Sequence, residues 1–362
     1  MKNLLTILLL LVSLPVWAAD RYWVGGGGTW DSSSTANWST SSGGSSGASA
    51  PTSSDNVFID ANSGAGTILV ATAVTSAALD FNGYTGTFNL QSGGGSVTAS
   101  GNIRLASGMT YTGTGVLSQN GGTQFTSAGK TITTSYTVAN TSATIVFQDA
   151  FSSSSTIVMS ASGAHLDTNG QSVTVSTISF ISGTTMSLGA STVEVTGTGT
   201  VFNAGGTLNA GTSTLKVSNA SASAKTVNPN GATFNNIWFT GSGSGTFALN
   251  NNGTFNNFRV DTPPHTIQIT AGRNITFSTF TVSGTSGNLM TFQSSSAGSA
   301  FTFTASTGNV VCTYCSLKDS TATGGASFYA PNSTNVSGNT GWTFSAPPSG
   351  GGYGFSLFTI AP

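Results

Sequence analysis

Thr233-Phe-Asn-Asn-Ile-Trp-Phe-Thr240 returns as Thr254-Phe-Asn-Asn-Phe-Arg-Val-Asp261 and again, more loosely, as Thr276-Phe-Ser-Thr-Phe-Thr-Val-Ser283. The offsets are 21 and then 22 residues, and Ser191-Thr-Val-Glu-Val-Thr196 recurs at the same offset of 22 as Ser213-Thr-Leu-Lys-Val-Ser218. A period in this range, carried by β-branched and aromatic residues with no helical pattern, is the signature of stacked coils. Within each unit the apolar residues alternate, as in Val193-Glu-Val195, Leu215-Lys-Val217 and Phe258-Arg-Val260, so one face of a strand is buried while Glu194, Lys216 and Arg259 point out. The fold expected is all-β: a single right-handed parallel β-helix, or β-solenoid, in which each coil pairs edge to edge with the next and their inward residues form one core. On the order of 14 coils at roughly 4.8 Å per rung would make a rod about 65 Å long. Asn-Gly pairs at Asn82, Asn120, Asn169, Asn230 and Asn252 mark turns, but such pairs also close hairpins, which keeps an antiparallel β-sandwich as the alternative.

Composition agrees with strands and disfavours the other classes. Charged residues are only 5% of the 362-residue chain, too few to build ordinary helix surfaces, while 22 Phe set it apart from disordered chains rich in Gly and Ser. A formal net charge of −1 offers no basic surface for phosphates, which argues against nucleic-acid binding and docking on anionic membranes. Lys2, the apolar run Leu4 to Val16 and the small-residue exit at Ala18 read as an export signal cut after Ala18. The run is short for a bilayer span, so no membrane insertion is expected after cleavage, and the mature chain should be secreted, extracellular or at the cell surface. The division expected is a signal peptide over 1–18, a Trp- and Gly-rich N-terminal cap over 19–51, the solenoid over 52–346, and a Pro/Gly linker with an apolar tail over 347–362.

Tyr22-Trp-Val-Gly-Gly-Gly-Gly-Thr-Trp-Asp31, followed by Asn37-Trp38-Ser39 and Pro51-Thr-Ser-Ser-Asp-Asn-Val-Phe-Ile-Asp60, resembles the opening of secreted and phage-associated bacterial β-helical repeat proteins. It also resembles the units of autotransporter-associated β-strand repeats. The stretch from Tyr314 to Ala326, running on to Gly341-Trp-Thr-Phe344, is similar to their closing coil. The resemblance covers the two ends and implies an extracellular or virion-surface β-helix with no catalytic residues to carry over. The export signal departs from the phage-tail pattern and favours a cell-secreted version.

No constellation for catalysis stands out, so the chain reads as a non-enzyme without cofactor or metal. The ten carboxylates are scattered; stacking one coil on another would bring Asp60 over Asp80, but a lone pair of this kind reads as a turn device before it reads as a glycosidase dyad. Cys312-x-x-Cys315 fits small core positions aligned with Phe277 and Phe280, or a local disulfide; zinc would want four ligands, and His165 and His265 are distant turn residues. Threonine pairs such as Thr196-Gly-Thr198 would suit an ice-binding array only if repeated on consecutive coils, and that register is not legible. The aromatic candidates for glycan contact are Trp23, Trp30, Trp38, Trp238 and Trp342, set against the plainer reading of the terminal ones as caps. The tail residues Tyr353, Phe355, Leu357, Phe358 and Ile360 would add as a strand to a partner's edge, giving self-association, or fold back on the last coil. The function expected is a structural or adhesin-like surface protein contacting extracellular glycans or a cell surface. The alternatives are a polysaccharide-binding or polysaccharide-degrading tailspike-like β-helix and a self-assembling filament subunit.

Overall fold

The computed structural model describes residues 18–141 and 143–348. The export segment through Trp17 and the tail Tyr353, Phe355, Leu357, Phe358 and Ile360 lie outside them. The chain is a parallel β-solenoid of three faces, and its most continuous sheet holds 13 strands, one per coil. A typical coil lays down Gln124–Thr126 on the first face, Thr131–Ile132 on the second and Ser135–Val138 on the third. Each pairs in parallel with the next coil: Phe125 with Phe147, Thr131 with Ser152, and Tyr136 with Ile157. Beyond Thr207–Asn209 the first two faces merge, and Thr233–Phe239, Gly253–Val260 and Asn274–Ser283 run through the corner without a break.

The repeats align as their spacing predicts. Phe234 stacks on Phe255 and Phe255 on Phe277; Ile237, Phe258 and Phe280 form the neighbouring inward column. Phe258 and Phe280 lie face to face with centroids 5.7 Å apart, a geometry that adds about 0.5–1.5 kcal/mol to area burial. Period-two alternation explains the burial on each side of the corner, Gly253 with Phe255 and Phe258 with Val260, while Asn256 and Asn257 carry the strand around it. Asn169-Gly170 and Asn230-Gly231 do turn through positive φ at both residues, but they connect parallel strands on successive faces of a coil, not the arms of a hairpin. The antiparallel sandwich is thereby excluded.

The period is less regular than the clearest repeats suggest. From Leu117 to Tyr136 one rung spans 19 residues, while Phe202 to Val227 spans 25. Irregular corners also move the cysteines: Cys312 stacks on Val282 and Cys315 on Met290, not on Phe277 and Phe280, because residues 284–289 and 295–300 lengthen the intervening path. The two are buried and joined as a disulfide across the corner at Tyr314.

The Trp-rich segment does not stand apart from the coils. Asp20–Trp23 pairs in parallel with Asn56–Phe58, and Gly28–Trp30 with Thr67–Val70, so it is itself the first coil. Closure comes from Trp38–Ser39, which lies antiparallel on Asp20–Trp23 and covers the edge that a further coil would otherwise pair with. At the opposite end Thr334–Ser337 is the edge of the third face, solvent-exposed along its length.

Candidate functional site

The third face is the most regular surface. Thr75, Thr98, Ser118, Thr137, Val158 and Ser179 form one outward column. Ala73, Ser96, Val116 and Ser135, continued by Thr156 and Thr177, form a second beside it. Consecutive coils thus do share a register of small side chains, which the sequence concealed because the period varies and Ala73, Val116 and Val158 interrupt the hydroxyls. No charged side chain projects from these strands, and the array ends where Thr200 and Phe202 shift the register.

Charge gathers instead on the second face. Glu194, Lys216, Trp238, Arg259 and Thr281 occupy one outward column. Lys216 Nζ donates to Glu194 at 3.1 Å. The Trp238 ring lies between the Arg259 guanidinium, 4.3 Å from its centroid, and the Lys216 ammonium at 5.8 Å. Asp261 accepts from Trp238 Nε1 and from both Arg259 Nε and Nη2, each at 2.8 Å. Burial pushes the Asp261 carboxyl up, but the Arg259 and Trp238 hydrogen bonds outweigh it and hold the group below the ordinary value. A groove of about 360 Å³ beside this column is lined by Asn236, Asn257 and Trp238 among others. Both ion pairs are partly exposed and self-compensated, so Lys216→Ala should cost no more than about 1 kcal/mol in chemical denaturation.

These positions correct several sequence expectations. Trp23, Trp30 and Trp38 are at most 1% exposed and pack edge to face at one end of the core, leaving no ring for a sugar. Trp238 is reachable at its edge, but both ring faces are occupied by cations. Trp342 is half-buried, with its ring against Phe328 and its Nε1 donating to Ser320 Oγ. Asp60 does not lie over Asp80: it caps the short turn Ala61–Ser63, whereas Asp80 stacks on Phe58 and pairs with Arg104 at 2.6 Å.

All ten carboxylates have an architectural partner. Three take the ion pairs just named. Asp20 accepts from Asn56 on the next coil, Asp149 from the Ser127 and Ala128 amides on the preceding one, and Asp319 from the Gly298 amide. Asp31, Asp60 and Asp167 clamp their own turns. Asp55 accepts from the Ala19 and Thr52 amides and the Thr52 hydroxyl; burial pushes its carboxyl up, and these bonds more than reverse that. Among the described residues no group of three or more His, Cys, Asp or Glu side chains is placed to hold a metal ion.

Sequence reasoning missed Lys225 and placed His265 in a turn, where it lies, without foreseeing its burial; the two are buried together where the second face turns into the third. In Lys225-Thr-Val227 the lysine is in phase with an inward valine, a signal that was present but unread. Burial and the nearby Lys225 charge hold the His265 imidazole below its ordinary value, although a hydrogen bond involving Gly241 acts the other way. The unfolded chain therefore takes up this proton first as pH falls. His265 should contribute stability that is complete above about pH 6.5 and declines below it. Thermal midpoints compared across that range should show a steeper acid decline for the wild type than for His265→Gln. The comparisons with known proteins return no matching family model, no matching curated protein and no matching solved structure.

Proposed function

We propose that the chain is an exported, non-catalytic β-solenoid serving as a stiff structural or adhesin-like element at a cell surface, where the uncharged N-terminal half of its third face lies against extracellular glycans or a neighbouring surface. The observation that carries this reading is the commitment of every carboxylate to turns, caps and inter-coil clamps. Retaining and inverting glycosidases alike need a pair of carboxyls free to face a sugar, and each carboxyl here already holds the architecture together. Regular, small, neutral side chains present a flat surface that a neutral partner can approach without stripping water from charges.

The full chain should be recovered outside the producing cell and should release no reducing ends from a panel of plant, algal and bacterial polysaccharides. Adsorption to cells or insoluble glycans should fall when Ser118→Lys and Thr137→Lys are introduced together, and should not change with a matched pair of lysines on the first face. Release of reducing ends, or equal adsorption by the two variants, would count decisively against the reading.

A second reading, association through the C-terminal end, is favoured by the contrast between the covered N-terminal edge and the exposed Thr334–Ser337 edge, where Val336 remains 49% accessible. With one end covered, such association closes at a pair of rods and does not extend into a filament. Measuring the mass of the full chain and of a chain lacking Tyr353 to Pro362 by light scattering tests it; a monomer in both cases rules it out.

A further inference from the structure

Four consecutive coils enlarge one corner. Between the second and third faces, residues 218–224, 240–246, 261–265 and 284–289 form long loops, whereas residues 133–134, 154–155 or 176 alone turn the same corner elsewhere. Loops that depart from a rigid repeat are where binding groups are placed without disturbing the scaffold.

The interior of this corner is chemically unlike the rest of the core. Lys225 is completely buried; its ammonium donates to the Ser221 carbonyl and lies 5.4 Å from the Phe247 ring centroid. No carboxylate pairs with it among the described residues. A methyl group on Gly245 would come 2.6 Å from its nitrogen, so the ammonium lies directly behind the backbone that continues the Ser242 to Ser244 wall. The His265 ring packs edge-on against Phe247 and is 4% exposed. Its Nε2 is 3.1 Å from the Thr262 hydroxyl and the Gly241 backbone lies near the ring, while the buried Nδ1 makes no hydrogen bond of ordinary geometry among the described residues. His265 also lines a cavity of about 290 Å³, together with Ser242, Gly243, Ser244, Thr266 and Thr291.

We propose that this corner binds an anionic oxygen group, a sulfate, phosphate or carboxylate, seated against His265 and the Ser242 and Ser244 hydroxyls and held by the fixed charge of Lys225. A buried cation without a counter-charge is costly, and no carboxylate among the described residues offsets it. An anion entering from solvent gains that attraction in a region of low dielectric, and it offers acceptors to the Ser242 and Ser244 hydroxyls that line the cavity with His265. The cavity is at the small end for ligand sites, which suits one charged group and not a whole chain of sugars. The inference is independent of the rod reading, since it concerns one corner and not the neutral face.

Titration calorimetry on the full chain tests it, with sodium sulfate, sodium phosphate and glucuronate at constant ionic strength, near pH 7.5 and near pH 5.5 on either side of the ordinary histidine value of about 6.5. One saturable site is expected for the wild type, with Kd raised at least about tenfold in Lys225→Met and in His265→Gln. Acidification should tighten wild-type binding, because a protonated His265 adds positive charge beside the anion; the Lys225 ammonium acts on that ring as well, and burial pushes its own value down. His265→Gln should lose this pH response, which a merely structural role would not do. Lys225→Met keeps the apolar stem and removes a buried charge, so it should fold; should circular dichroism show otherwise, the pH response of His265→Gln carries the test. An oligoglucuronate binding more tightly than inorganic anions would identify an acidic glycan as the source, and the reverse order a free oxyanion. No saturable binding of any of the three anions, or an unchanged Kd in both variants, overturns the site and leaves the rod reading untouched.

Discussion

Phe258→Ala is expected to remove about 3–5 kcal/mol from the stability of the coils around it, the largest effect of any single truncation on the merged faces. The ring is completely buried and stacked on Phe280 at 5.7 Å, with Phe239, Phe255, Phe277 and Phe303 all within 6.3 Å of its centroid. Deleting it opens a cavity that five aromatic neighbours, held on its own strand and on the adjacent rungs, cannot close by collapsing. Because coils contact only their neighbours, the loss should be local: urea should melt the C-terminal coils ahead of the N-terminal ones. Hydrogen exchange is the measurement that separates the two, with protection falling at Gly253–Val260 and Asn274–Ser283 and persisting at Ser135–Val138. A uniform loss of protection, or a change below about 1 kcal/mol, would show that the aromatic columns do not hold these coils together.

The second large effect is expected at the other end of the rod. Trp38 lies edge to face against Trp23 at 5.1 Å and Trp30 at 5.3 Å, and its strand covers the outer edge of Asp20–Trp23. Trp38→Ala should cost about 3–5 kcal/mol in the first coils and, more visibly, uncover an edge that invites pairing with another chain. The variant should gain mass in light scattering at concentrations where the wild type does not. Trp38→Phe, which keeps a ring in the cluster, should restore most of the difference. If Trp38→Ala matches the wild type in both midpoint and mass, closure must come from elsewhere, and the Trp-rich segment is no more than a first coil.

Much of the architecture was legible before any coordinates because alternation is a local property. Once Phe234, Phe255 and Phe277 were aligned at offsets of 21 and 22, their common inward column followed, and so did the outward position of Glu194, Lys216 and Arg259. What could not be read was how far each corner loop carries the chain before the next strand begins. That single unknown displaced Cys312 and Cys315 by a face and separated Asp60 from Asp80. It also hid the two columns of small side chains on the third face.

The site was less legible than the fold for a related reason. Trp238 has the residue type expected of a sugar platform, yet its ring faces are taken by Lys216 and Arg259, partners contributed by the coils on either side. Lys225 and His265 are ordinary letters in the chain and become a buried cation and a buried imidazole, with no carboxylate beside them among the described residues, only when four enlarged corners enclose them.

The sequence by itself determined that this chain forms strands, that those strands recur in stacked coils, and which residues on each strand face inward, since all three depend on composition and on spacing along the chain. Only the tertiary structure decided which outward residues become neighbours, which tryptophans are sealed away and where an uncompensated charge is enclosed. The physical reason is that contacts between coils depend on register, and register is set by the sum of loop lengths between two rungs, a quantity with no local signature.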